Sequence, residues 1–148
     1  MIFIGADHAG YELKEKLKKS LQEIGLEFID VGASSYDKND DYPDFAKKVA
    51  LEVHKNGENK GIVICGTGIG ACITANKFRG IRAALVHDEE SAKLSREHND
   101  SNILCLSGKT DKIKADKVLK SWLETPFGQE ERHIRRIKKI EGFENENK

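Results

Sequence analysis

The stretch that most limits what this chain can become is Gly61 to Asn76, GIVICGTGIGACITAN. Gly61-Ile62-Val63-Ile64-Cys65 is a continuous apolar run rich in β-branched residues. That pattern suits a strand covered on both faces, as in a parallel sheet. Gly66-Thr67-Gly68-Ile69-Gly70 follows, and Ala71 onward has helical composition. Glycines there permit positive φ and a close backbone approach to a ligand. A strand ending in glycines at a helix N-terminus aims N–H groups and the positive end of the helix dipole at one spot, which favours an anion. Cys65 stands at the lip of that spot. Three common readings of such a turn fail. It lacks the Lys-Ser/Thr ending of an ATP-binding P-loop. It follows the third predicted strand and lacks the G-x-G-x-x-G spacing of a dinucleotide site. The sixth residue after Cys65 is Ala71, so it is not a Cys-x5-Arg phosphatase loop. Two readings survive: an anion-stabilising loop beside a thiol, or a tight strand–helix turn with a core cysteine.

The rest of the chain supplies the frame for that loop. Its 148 residues suit one domain, expected over residues 1–140, with a polar tail at 141–148. A first strand is predicted at Ile2–Gly5 and a helix from Tyr11 to Ile24, with Leu13, Leu17, Leu21 and Ile24 on one face and Gly25 as its stop. Glu27–Val31 reads as a second strand and Gly32–Asp41 as a loop. Pro43 suits the first turn of a helix running to Lys55. The helix after the glycine turn is expected to reach Lys77. Further strands are predicted at Ile81–Val86 and Asn102–Leu106, and further helices at Glu89–Glu97, capped by Asp88, and around Ala115–Trp122. A last helical segment is expected over Gln129–Ile140, with Glu141–Lys148 frayed. Strands alternating with helices predict an α/β fold in three layers: a five-stranded parallel sheet with helices on both faces. In such folds the ligand site lies at the carboxyl ends of the strands. Asp7-His8, Cys65–Gly70 and the loop before Pro43 would meet there.

Charge narrows the partners. Twenty-five basic residues balance 25 acidic ones, so no global field recruits nucleic acid or an anionic membrane. No apolar run approaches the roughly 18 residues of a membrane span. The absence of a leader-like N-terminus and three irregularly spaced cysteines point to a reducing, cytoplasmic setting. Of the five histidines, His54 and His87 read as surface groups. His8, His98 and His133 stand beside other polar candidates, as caps, surface residues or site residues. No pair has the close spacing of a zinc motif. Arg132 and Arg136 are four apart on one helix face, either a solvated basic face or a pair suited to bidentate phosphate recognition. A thiol at a helix N-terminus ionises more readily than a free one and can serve as a nucleophile or a general base. Cys72 and Cys105 read as core packing.

Taken together, Ala6-Asp7-His8-Ala9-Gly10, Asp41-Tyr42-Pro43, Ile64 to Gly70, Ala75-Asn76-Lys77, Gly80-Ile81-Arg82-Ala83, Ser95 to Asp100 and Arg132-His133-x-x-Arg136 resemble ribose-5-phosphate isomerase type B, a group shared with isomerases of allose and galactose 6-phosphates. The match runs in order along nearly the whole chain. The resemblance implies an aldose–ketose isomerase of pentose phosphate metabolism, interconverting ribose 5-phosphate and ribulose 5-phosphate without metal or other cofactor. It implies a Rossmann-like α/β sandwich, and a homodimer, sometimes a tetramer, with active sites at the subunit interface. Carried over residue by residue, it makes Cys65 the base that moves a proton between C2 and C1. The backbone of Gly66, Thr67, Gly68, Ile69 and Gly70 becomes the anion hole for a cis-enediolate. Thr67 and His98 assist ring opening, and Asp7 and Asn99 contact sugar oxygens. His8, Arg132 and Arg136 bind phosphate, with His133 and Tyr42 in supporting contacts.

Two positions depart from the family pattern. Cys72 stands where a serine is usual. Lys109 follows Ser107-Gly108 where the family often has arginine, so a phosphate contact keeps its charge but loses the bidentate fork. Related isomerases that use a glutamate base carry it in the helix after the glycine loop. This chain has no acid from Gly66 to Lys77, which favours Cys65. The alternatives are an isomerase of another phosphorylated aldose, such as allose 6-phosphate, and a non-catalytic sugar-phosphate-binding subunit.

Overall fold

The computed structural model describes residues 1–147. Five parallel strands form one sheet in the order β2-β1-β3-β5-β4: β1 Ile2–Ala6, β2 Phe28–Gly32, β3 Lys60–Cys65, β4 Ala83–Leu85 and β5 Ile103–Ser107. β1, β3 and β5 are covered on both faces. That explains why Ile2–Ala6, Gly61–Cys65 and Ile103–Leu106 read as unbroken apolar runs rather than alternating ones. On one face, α1 (His8–Glu23), α4 (Glu89–Asn99) and α5 (Lys112–Glu124) pack around Leu17, Ile62, Leu104 and Trp122. On the other, α2 (Tyr42–His54) and α3 (Ile69–Ala75) pack around Phe3, Val49, Val63 and Cys105. No described helix is long and apolar enough to cross a membrane. The three-layer α/β architecture is the one the alternation of elements predicts.

Several boundaries move, each for a local reason. α1 starts a turn earlier than Tyr11, because Asp7 caps it by accepting the Gly10 N–H at 3.1 Å. It ends as expected at Gly25 (φ 75°), with Leu26 N–H on the Leu21 carbonyl and Gly25 N–H on that of Gln22. The helix after the glycine turn stops at Ala75, short of Lys77. Asn76 then donates to and accepts from the main chain of Ala83, both at 2.9 Å, and so aligns β4. β4 is only Ala83–Leu85, and β5 sits one residue later than predicted. α4 has a reciprocal cap between Asp88 and Ser91, and reaches Asn99 before Asp100 (φ 45°) ends it.

The largest difference is at the far end of the chain. The segment expected to fray is helical: α6 runs Glu131–Glu146. The Glu144 carboxylate accepts the Gly80 N–H at 3.1 Å, Arg79 donates to Asn145 at 2.8 Å, and Arg82 lies 3.7 Å from Glu141. These partners are distant in sequence, so a local reading could not supply them. Lys148, the end of the expected tail, lies outside the described residues.

One polar knot holds β2 to α1. Lys14 is fully buried, and its ammonium donates to both Asp30 carboxylate oxygens at 2.8 Å and to the Ala33 carbonyl. Burial pushes the Asp30 carboxyl up, but Lys14, Lys18 and the Gly32 N–H outweigh it and hold the group below its ordinary value. Removing the acid would leave the buried ammonium with only the more distant Glu15 carboxylate, 3.6 Å away, a loss of about 3–5 kcal/mol. Asp30→Ala is therefore expected to lower the melting temperature by roughly 10 °C or more, at about 2–4 °C per kcal/mol. Calorimetry checks this; a shift within a degree or two would show that the pair carries no net stability.

Candidate active site

The strand order reverses between β1 and β3, so the first residues after both strands meet at one crevice. A cleft of about 500 Å³ opens there, lined by Asp7, Ala9, Tyr42, Cys65, Gly66, Thr67, Ile69, Gly70 and Ile73. Cys65 is 3% exposed at the end of β3. Its carbonyl accepts the Gly108 N–H at 2.8 Å, and the Gly66 carbonyl accepts from Ser107 Oγ at 2.7 Å, which pins the base of the turn to β5. Thr67 Oγ1 accepts the Ile69 N–H at 3.2 Å. Gly68 has φ 77°, and a Cβ there would lie 2.9 Å from the Leu106 carbonyl carbon, so both conformation and space call for glycine. A Cβ on Gly70 would lie under 3.0 Å from the Tyr42 ring, so Tyr42 closes one wall of the cleft only because residue 70 has no side chain.

On the other wall, Asp7 is buried and serves as the α1 cap. Burial above all raises its carboxyl, opposed by its hydrogen bond to Gly10 and by the nearby His8. His8, half-buried, is held from the Gly32–Asp41 loop, where no single residue stands out in the sequence: Asp40 Oδ1 accepts the His8 main-chain N–H at 2.9 Å and lies 2.7 Å from Nδ1. Only the adjoining Asp41-Tyr42-Pro43 motif hinted that this loop would reach the cleft. Asp7, His8 and Asp40 offer donor atoms all within 4.8 Å of one another, a spacing a cation could use, but Nδ1 already faces Asp40. Lys109 is exposed at the end of β5, on the same edge of the sheet as Cys65.

The remaining predicted residues are elsewhere. α4 runs back down the sheet, and Arg82, just before β4, donates to the Asn99 carbonyl at 3.0 Å. His98 and Asn99 therefore lie at the edge where the strands begin, while Cys65 lies where they end. The five residue steps of β3 span about 17 Å. His133, 4% exposed, stacks on His98 with ring centroids 4.3 Å apart and planes at 17°. Its Nε2 is buried without a partner among the described residues, and burial, then the charge of His98, lowers its basicity. Arg132 and Arg136 are exposed on the same helix; Arg132 pairs with Glu130. The structure thus gives two half-sites at opposite ends of one sheet: Asp7, His8, Tyr42, Cys65–Gly70 and Lys109 at one, His98, Asn99, Arg132, His133 and Arg136 at the other.

Cys72 does not line the cleft. Its thiol donates to the Ala83 carbonyl at 3.5 Å. Hydrogen bonding with Cys105 brings it down to about 7, while that same bond and burial push Cys105 up.

Residues 2–140 match the ribose/galactose isomerase family. The chain is 45% identical to a probable ribose-5-phosphate isomerase B of Mycoplasma genitalium, covering 98% of this chain and 96% of the relative. It is 43% identical to a putative sugar phosphate isomerase of Bacillus subtilis, covering 99% and 98%. Among solved structures it superposes on ribose-5-phosphate isomerase B of Mycoplasma genitalium with bound ribulose-5-phosphate (TM-score 0.94, 44% identity, 98% and 96% covered). The Clostridium thermocellum ribose-5-phosphate isomerase B agrees as closely (TM-score 0.94, 44% identity, 99% and 99% covered).

Proposed function

This chain belongs to the ribose/galactose isomerase family, and within it we propose an aldose–ketose isomerase interconverting D-ribose 5-phosphate and D-ribulose 5-phosphate through a cis-enediolate. The observation that carries the reading is Cys65 at the switch point of the sheet, beside a glycine turn and with no carboxylate from Gly66 to Lys77 to compete as base. Cys65 takes the proton from C2 and returns it to C1. The N–H groups of the Gly66–Gly70 turn stabilise the charge that develops on the two adjacent oxygens, where one well-placed donor is worth about 10²–10³ in rate. His98, with Thr67, opens the furanose ring. Asp7 and Asn99 hold sugar oxygens, and Tyr42 walls the cleft. His8, Lys109, Arg132 and Arg136 clamp the phosphate, whose distance from the reacting carbons lets binding energy serve orientation. His133 backs His98 through the stacked rings.

These roles need both half-sites within one substrate length, so the working unit is a homodimer in which each site takes one half from each chain. The apolar rim of the cleft supports this: Ile69, Tyr42 and Ile73, the last 58% exposed, would be covered by the second chain. The test is isomerisation in deuterated water, followed by NMR, with ribose 5-phosphate and allose 6-phosphate side by side. Turnover of the pentose is expected, with solvent deuterium appearing at C1 of ribulose 5-phosphate and at C2 of the ribose 5-phosphate re-formed from it. A folded protein that binds either sugar but exchanges no proton would reduce it to a binding subunit, and preferential turnover of the hexose would change the substrate.

A further inference from the structure

The His8–Asp40 contact is built more tightly than a surface ion pair. One carboxylate oxygen, Asp40 Oδ1, meets both the His8 main-chain N–H and Nδ1, at 2.9 and 2.7 Å. With Nδ1 donating, the ring's rotation is fixed and Nε2 is its only other donor. Asp40 is itself largely covered, and its Oδ2 is buried with no hydrogen-bond partner among the described residues. A buried carboxylate oxygen left without a donor is costly unless a cation stands beside it.

We propose that Asp40 is a positioning residue for phosphate recognition: it fixes the His8 imidazole and favours a proton on both ring nitrogens, so that Nε2–H meets the substrate's phosphate. The proposal rests on His8 being a phosphate ligand in the reading above. The groups facing the ring are Asp40, Asp7 and Tyr36, whose ring stands edge-on at 6.2 Å. Asp40 is the first cause that raises the basicity of His8, and Asp7 adds to it. A raised value means that the imidazolium persists to higher pH, and that phosphate affinity falls as pH rises through the His8 midpoint. Removing the Asp40 charge moves that midpoint down.

The test is Asp40→Asn in the full chain, which keeps an oxygen for the His8 N–H and removes only the charge. The His8 ring midpoint, followed by NMR titration, is expected to fall. KM for ribose 5-phosphate and the inhibition constant of inorganic phosphate are expected to rise about tenfold, as for loss of one charge-assisted hydrogen bond, with kcat within about twofold. In a His8→Gln background the same change is expected to add nothing, a result that a purely structural role would not give. An unchanged midpoint, or equal losses with and without His8, would overturn the proposal. So would loss of activity on adding EDTA, which would make the three donors a cation site. If wild type neither turns over the pentose phosphate nor is inhibited by inorganic phosphate, the functional reading itself fails. An active wild type matched by Asp40→Asn removes only the role of Asp40.

Discussion

Cys65→Ser is expected to lower kcat for ribose 5-phosphate by about 10²–10⁴, the range a positioned general base supplies, while substrate binding survives. The substitution is close to isosteric. Cys65 is buried at the end of β3, in the apolar cluster that α2 and α3 cover, with its carbonyl engaged by Gly108, and a serine hydroxyl there costs about 1 kcal/mol. The melting temperature should therefore stay within a few degrees. A serine hydroxyl in the same place is far less readily ionised than a thiol, so the proton would stay on C2. Binding by calorimetry, turnover, and deuterium uptake at C2 separate the steps. A folded Cys65→Ser protein with near-wild-type isomerisation would remove Cys65 as base.

Two inactive variants are expected to restore each other. His98→Ala should be nearly inactive on the closed sugar, and Cys65→Ser inactive on any form. The two residues sit at opposite ends of the same sheet, so each site of a two-fold dimer would take Cys65 from one chain and His98 from the other. Random re-pairing of equal amounts makes half the dimers mixed. Each mixed dimer has one site with both defects and one with neither, so about one quarter of wild-type activity should return. No recovery after confirmed subunit exchange would place both residues in one chain's site, against the geometry of a single protomer.

How much of this was legible in the sequence depended on whether the cause was local. The apolar run before Cys65, the Asp88 cap and the stop at Gly25 are local signals, and all hold in the structure. The start of α1 was misread because Asp7 was weighed as a site residue and not also as a cap. The last turns of α6 were missed because what fixes them, Gly80, Arg79 and Arg82, lies far away in sequence. The same limit hid Asp40, whose meaning comes from His8 on another element. Motif order named the residues of both half-sites. It said nothing of their separation, because sequence order does not tell that α4 carries His98 back along the full length of the sheet.

The strand order has a consequence for how a ribosome delivers this fold. β4 leaves before β5, yet β5 lies between β3 and β4 and is, among the described residues, the only strand that β4 pairs with. Strands β2, β1 and β3 can zip as they emerge, whereas β4 must wait, carried on the Asn76 contacts, until Ile103–Ser107 slots in beside β3. A nascent chain paused before that point exposes the open side of β3 and an unpaired β4, the condition in which unfinished sheets capture one another.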